Sequence, residues 1–257
     1  RIMKRFFESQ ELQPYLISGE SCELSARNFH YLKHVLRLQV GDLIALFDGS
    51  GQDFVARLTD VRKQSIQADL EKATPSPAKE SPLETHLGIV ISKGDRFDYA
   101  LQKATELGVH RITPLTSEFG DVRFKAERLN KKEQHWQDVI ISACEQSGRG
   151  YVPQLQPTIV IDQWLAERTE TIKWVCHTRH TASQKAQGSN PIEDQSRQQL
   201  AILIGPEGGL SDSEVQSAEQ QGFILQQFGH RILRTETAPI VVLSAAQLLF
   251  GDFTVSH

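Results

Sequence analysis

The stretch "IGPEGGLSDSE", Ile204 to Glu214, decides how the chain is read. It follows the apolar run "LAIL" at 200–203 and precedes a polar, helix-like segment, the pattern of a strand, a glycine turn and a helix start. Ser211, with Glu214 three residues on, forms a capping-box pair that sets the helix start directly after the turn. Unpaired N–H groups at such a start attract anions. The residues nevertheless argue against a phosphate cradle. The turn is neither GxGxxG nor GxxxxGK, it contains no lysine, Pro206 removes one N–H, and Glu207 adds a negative charge.

A second loop, "FGHRILRTETAP" at Phe228–Pro239, lies one helix and one strand later. It too follows a strand and opens a helix, and ligands of open α/β sheets bind at the carboxyl ends of strands. The two loops are therefore expected to wall one pocket. The helix after the second loop, "ETAPIVVLSAAQLLFG", is apolar apart from Ser244 and Gln247, and Pro239 fits only its first turn. Such a helix is buried on several sides, either in a deep core or against a second subunit.

Upstream, strand-like runs "HLGIVIS", "HRITPLT", "TIKWVCH" and "FILQQF" alternate with the helical patterns "DRFDYALQKATELG" and "AERLNKKEQHWQDVIISACEQSG". This alternation predicts a mostly parallel α/β sheet. The polar segment from Thr178 to Gln199 is expected to be an exposed loop. "TPSPAKESP" at 74–82 breaks both flanking patterns and reads as a linker. Before it, "DLIALFD" and "DFVARLTDV" flank "GSGQ", which is hairpin chemistry, and "SIQADL" follows. The expected organisation is a small β-rich module over 1–73, a linker over 74–82 and an α/β domain over 83–257.

The 257 residues carry a net charge of −4, which argues against binding nucleic acid by bulk attraction. The local exception is "RFKAERLNKK", Arg123–Lys132, with five positive residues and one negative. Cys22, Cys144 and Cys176 form no CxxC pair and suit neither a disulfide framework nor a cysteine zinc site. His30 and His34 have i, i+4 spacing but no third ligand nearby, so no metal is expected. No apolar run approaches a membrane span and the first residues do not read as a signal peptide, so a cytoplasmic, membrane-free protein is expected.

Taken together, "ILIGPEGGLSDSE" and "FGHRILRTETAP" resemble the C-terminal signature of the RsmE family, the small-subunit ribosomal RNA uridine-N3 methyltransferases of the SPOUT superfamily. "HVLRLQVGDLIALFDGSG", "QKATELGVHRITPL", "ERLNKKEQHWQ" and "ACEQSGR" also look like family segments, so the resemblance covers nearly the whole chain. It implies an N-terminal PUA-like β-barrel, a trefoil-knotted mostly parallel sheet with helices on both faces, and a homodimer with its interface beside the active site, for which the C-terminal apolar helix is the expected contact. It further implies S-adenosylmethionine as cofactor and 16S ribosomal RNA, naked or in the assembled 30S subunit, as substrate. The alternatives are a SPOUT ribose 2′-O-methyltransferase, against which stands "RTETAP" where that group has a serine-leucine-asparagine motif, and a non-catalytic PUA-type RNA-binding protein.

By that resemblance, Ile204, Gly205, Pro206, Gly208 and Gly209 form one wall of the cofactor site, and Phe228, Gly229, Ile232, Leu233 and Thr237 the other. His177 ends the strand before the polar segment and supplies a third wall or, alternatively, a structural hydrogen bond. Methylating N3 of uridine requires removal of its proton and support for the developing anion. Arg234 and Glu236 suit those roles, and a salt bridge holding the loop is the competing reading. Glu145 and Arg149 form a second candidate pair, with the base left open. Arg5, Lys33, His34, Arg37 and Arg149 are the expected RNA contacts, with Phe6 and Phe7 as stacking or core residues.

Overall fold

The computed structural model describes residues 3–120, 124–177 and 198–254. The polar segment 178–197 and Arg123 lie outside the described residues. Two compact units are present, one made of 1–80 with 141–152, the other of 81–140 with 153–257.

In the first unit, β1 (Arg5–Phe7), α1 (Gln13–Ser18), β2 (Cys22–Glu23) and α2 (Ala26–His30) are followed by a π-helical turn over Tyr31–Val35. β3 (Leu43–Phe47), β4 (Gln52–Val61) and β5 (Ile66–Pro75) complete a sheet ordered β1-β3-β4-β5-β2. The β3–β4 hairpin turns over Gly49 and Gly51, at φ of 90° and 82°, as "GSGQ" predicted. Alternating residues of β4 and β5, among them Phe54, Ala56, Leu58, Ile66 and Ala68, are buried with Phe6 and Leu12 in one core. Phe6 is thus a core residue, and Phe7 packs on Phe47 with centroids 5.5 Å apart. β5 runs through Pro75, into the stretch expected as linker.

Residues 141–152 belong to this unit through buried polar contacts. Arg5 chelates Asp53 at 2.6 and 2.8 Å and donates to the carbonyls of Cys144 and Arg149 at 2.9 and 3.1 Å. Glu145 pairs with Arg27 at 2.6 Å and accepts the Phe7 N–H at 3.1 Å. Arg149 is buried against Glu80. Linear patterning could not have shown this return of the chain.

The second unit runs β6 (Glu84–Val90), α3 (Asp95–Glu106), β7 (Arg111–Thr116), α4 (Ala126–Ser147, whose last turns fall in the first unit), β8 (Gln154–Leu155), β9 (Ile159–Val160) and α5 (Ile161–Ala166). It continues with β10 (Ile172–Cys176), β11 (Gln199–Ile204), α6 (Asp212–Gln220), β12 (Ile224–Gln226) and α7 (Ala238–Phe250). The strands are ordered β12-β10-β11-β6-β7-β8, with β9 beside β7, and every ladder is parallel. Parallel strands buried on both faces read as continuous apolar runs, which "LAIL" and "HLGIVIS" are. Ala201, Leu203, Val90 and Val175 pack against Trp164 and Leu165 of α5 and Ala218 of α6. Gly88 is required there, since a Cβ on it would stand 2.7 Å from the Trp164 ring.

α7 begins with Pro239 in its first turn and buries Val242, Leu243 and Ala246. Its polar interruption is satisfied internally: Gln247 accepts from the Ser81 hydroxyl at 2.7 Å and donates to the Leu107 carbonyl at 3.0 Å. Leu248 and Leu249, on the other side, are exposed. Among the described residues no helix is long and apolar enough to cross a membrane.

Candidate cofactor and methyl-transfer site

The turn after β11 is held from three directions. Ser211 caps α6, accepting the Glu214 N–H at 3.2 Å while the Glu214 carboxylate takes the Ser211 N–H at 2.8 Å. The other Glu214 oxygen accepts the Glu118 N–H from the segment after β7 at 2.9 Å. Within the turn, the Gly209 N–H donates to the Pro206 carbonyl at 2.9 Å. The negative Glu207, which weighed against a phosphate, is ion-paired with Arg96 at the start of α3.

The glycines have separate reasons. A Cβ on Gly205 would stand 2.8 Å from Cγ of Leu210, a side chain that belongs to the core beneath the turn. Gly209 has φ of 80° with open space where a Cβ would be, so its backbone conformation is what calls for glycine. Gly208 would place a Cβ 3.5 Å from Cβ of Phe119, an ordinary contact.

A cavity of about 560 Å³ opens at the carboxyl ends of β10, β11 and β12. Its walls contain Ile204, Gly205, Pro206, Gly208 and Gly209 from the first loop, and Phe228, Gly229, Ile232, Leu233, Arg234 and Glu236 from the second. His177 also lines it, and its N–H donates to the Gln226 carbonyl at 3.3 Å. The two loops that the sequence paired thus share one cavity. Thr237 is not among the lining residues; its N–H donates to the Arg234 carbonyl at 2.9 Å as α7 begins. The lining also includes Arg96, Cys176, Gln226 and Arg231, which sequence reasoning did not name. Cys176 and Gln226 had a signal in their strand-end positions, whereas Arg96 had none. Burial pushes the Cys176 thiol up to about 12, so it stays protonated and is no nucleophile at neutral pH.

Arg234 and Glu236 approach to 3.9 Å, with the arginine side chain 80% exposed and the glutamate 16%. An ion pair this open to solvent contributes little to stability and leaves the guanidinium available to an incoming group. Thr235 Oγ1 donates to the Glu236 carboxylate at 3.3 Å.

The expected RNA contacts divide. Arg5 and Arg149 are buried in the ion pairs described above, so neither guanidinium faces solvent, and both are corrected to structural roles. Glu145 is likewise engaged with Arg27 and does not line the cavity. His34 and Arg37 are exposed, and Lys33, half-buried, lies over the Phe29 ring at 5.2 Å and donates to the Arg62 carbonyl. Arg37 has φ of 55°, a strained conformation for a residue with a Cβ. The His30 and His34 rings are 5.0 Å apart, and no group of three potential metal ligands is found among the described residues.

Residues 79–247 match the model of an RNA methyltransferase domain, and residues 24–71 match that of an RNA methyltransferase PUA domain. The ribosomal RNA small subunit methyltransferase E of Buchnera aphidicola is 36% identical over 233 residues, covering 90% of this chain and 88% of the relative. Its namesake from Neisseria gonorrhoeae, solved bound to S-adenosylmethionine, is 38% identical with a TM-score of 0.84, covering 98% of this chain and 100% of that one. A Legionella pneumophila protein solved with the same cofactor is 36% identical with a TM-score of 0.88, covering 98% and 99% of the two chains. With both regions matched and relatives covered over nearly their full length, the chain belongs to the ribosomal RNA small subunit methyltransferase E family.

Proposed function

We propose that this protein transfers the methyl group of S-adenosylmethionine to N3 of a uridine in 16S ribosomal RNA. The observation that carries the reading is the shared cavity: two glycine-containing loops at strand ends wall about 560 Å³, a volume suited to a nucleoside-sized ligand. The residues fit that cofactor better than a nucleotide, because the wall offers backbone amides and apolar Ile204, Ile232 and Leu233 but no phosphate-binding lysine. Gly205, Gly208, Gly209 and Gly229 would hold it, with His177 at the strand end.

When bound, the cofactor supplies an electrophilic sulfonium methyl group. Arg234 holds a uracil carbonyl oxygen and stabilises the negative charge that grows as N3 loses its proton. Glu236 receives that proton, and Thr235 orients its carboxylate. On the first unit, Lys33, His34 and Arg37 contact RNA phosphates. The exposed Leu248 and Leu249 of α7 face a second copy of the chain, and the trefoil knot comes with the family resemblance. The protein acts in the cytoplasm and requires no metal. Methyl transfer from labelled S-adenosylmethionine to small-subunit RNA lacking the mark, offered both free and in assembled subunits, tests the reading. Incorporation at uridine N3 supports it, and none with either substrate defeats it.

A further inference from the structure

Among the described residues, none of the cations of the positive run that opens α4 lines the cavity. Lys125 immediately precedes α4, its carbonyl accepting the Arg128 and Leu129 N–H groups, and on a helix of 3.6 residues per turn Arg128, Lys131, Lys132 and His135 fall within an arc of about 100°. Lys125, Arg128, Lys131 and His135 are exposed, and Lys132 is half-buried at the edge of the stripe that borders the buried Trp136 and Ile140. The acidic residue closest to the run's end is turned away: Glu133 accepts from the Thr158 N–H at 2.9 Å and its hydroxyl at 2.8 Å. His135 is paired with Asp98 at 2.6 Å. Lys125, Arg128, Lys131 and Lys132 have no acidic partner among the described residues, and Glu127 flanks the stripe. The Arg128 guanidinium rests 5.7 Å from the Phe124 ring, which limits its freedom.

The chain length from the cavity wall bounds where the stripe starts. Glu118 is hydrogen-bonded to Glu214, and Phe119 lies against Gly208 of the cavity wall. Lys125 lies six positions after Phe119, a reach of at most about 20 Å. From Lys125 to Lys132 the helix rises about 10 Å, enough to meet about three successive phosphates of one strand.

We infer that this face of α4 carries the phosphate backbone of the RNA on its way to the cavity, through Lys125, Arg128, Lys131 and Lys132. The inference rests on the proposed function and adds the track of the substrate. In a chain of net charge −4, four cations on one short stretch with no acidic partner among the described residues are a local exception that matches a polyanion. Surface cations with no acidic partner among the described residues contribute little to folding, so their removal reads out on binding.

The experiment compares wild type with a variant carrying Lys125→Gln, Arg128→Gln, Lys131→Gln and Lys132→Gln. Phosphate binding has a sequence-independent part, so protein-free RNA serves as probe, titrated between 50 and 200 mM salt. The expected result is at least about a tenfold loss of RNA affinity at the low-salt end and a salt slope shallower by about 0.7 for each phosphate no longer neutralised. S-adenosylmethionine affinity stays unchanged, and Lys131→Arg with Lys132→Arg retains RNA binding. Unchanged affinity and slope overturn the inference, as does a wild type that binds no RNA at 50 mM salt. Weaker binding to assembled subunits with unchanged binding to protein-free RNA also overturns it, in favour of an acidic protein surface. If the fourfold variant fails to fold, Lys125→Gln with Lys131→Gln, both exposed, is judged by the same outcomes at about half the slope change. Methyl transfer by the wild type is measured separately, so loss of the functional reading is distinguishable from loss of the track.

Discussion

Ser211 and Glu214 hold each other reciprocally at the start of α6, side chain to backbone in both directions, at 3.2 and 2.8 Å. The bond from Glu118 to the second Glu214 oxygen makes this cap a junction between two segments. Ser211→Ala removes one cap bond and is expected to cost about 1 kcal/mol. Glu214→Ala removes a capping partner and orphans the Glu118 N–H, and is expected to cost about twice that. Urea unfolding of the two variants checks the order, and equal costs would refute the junction.

Gly205→Ala and Gly209→Ala should fail for different reasons. The first forces Leu210 from the core and is expected to cost about 1–3 kcal/mol. The second meets no atom but strains a φ of 80°, at about 1–2 kcal/mol. Gly209→Val adds a branched side chain at the cavity wall and should also lower S-adenosylmethionine affinity, measured by calorimetry. Unaltered affinity in Gly209→Val would refute its place in the cofactor wall.

Arg234→Ala and Glu236→Gln should each slow methyl transfer by about 10²-fold or more while leaving cofactor affinity within a few-fold. Single-turnover rates with saturating RNA separate this from weaker binding. If the pair only braces the loop, both variants lose cofactor affinity and thermal stability instead.

Arg5→Met tests the assignment of that residue to the core of the first unit. Leaving Asp53 buried without its partner is expected to cost about 3 kcal/mol or more. A phosphate-contacting Arg5 would instead leave the melting temperature unchanged and weaken RNA binding.

His86 and Glu170 predict the acid limb of stability. Burial lowers the His86 pKa below its ordinary 6.5. Burial alone would raise Glu170, but its hydrogen bond from His86 and the neighbouring Arg168 bring it down to about 2. A histidine depressed in the folded state binds its proton more readily when unfolded, so stability falls as pH drops below about 6.5. The glutamate's contribution is present above about 4.5 and is lost as pH falls toward 2. His86→Gln should be less stable at pH 8 yet show a flatter slope just below pH 6.5, as read by urea midpoints across pH. A slope equal to that of wild type would remove His86 from this account.

Sequence alone determined what depends on neighbours along the chain: the strand and helix alternation, the hairpin at Gly49 and Gly51 and the Ser211 cap. These are local because hydrogen-bond periodicity and turn chemistry act over a few residues. The tertiary structure decided what depends on partners far apart. It set Arg96 against Glu207, 111 positions away, and gave Leu210 the space that Gly205 leaves. It also engaged Arg5 with Asp53 and Arg149 with Glu80, so that two arginines read as phosphate contacts became buried supports. A charged residue's role follows from who faces it, and burial brings together partners that spacing does not predict.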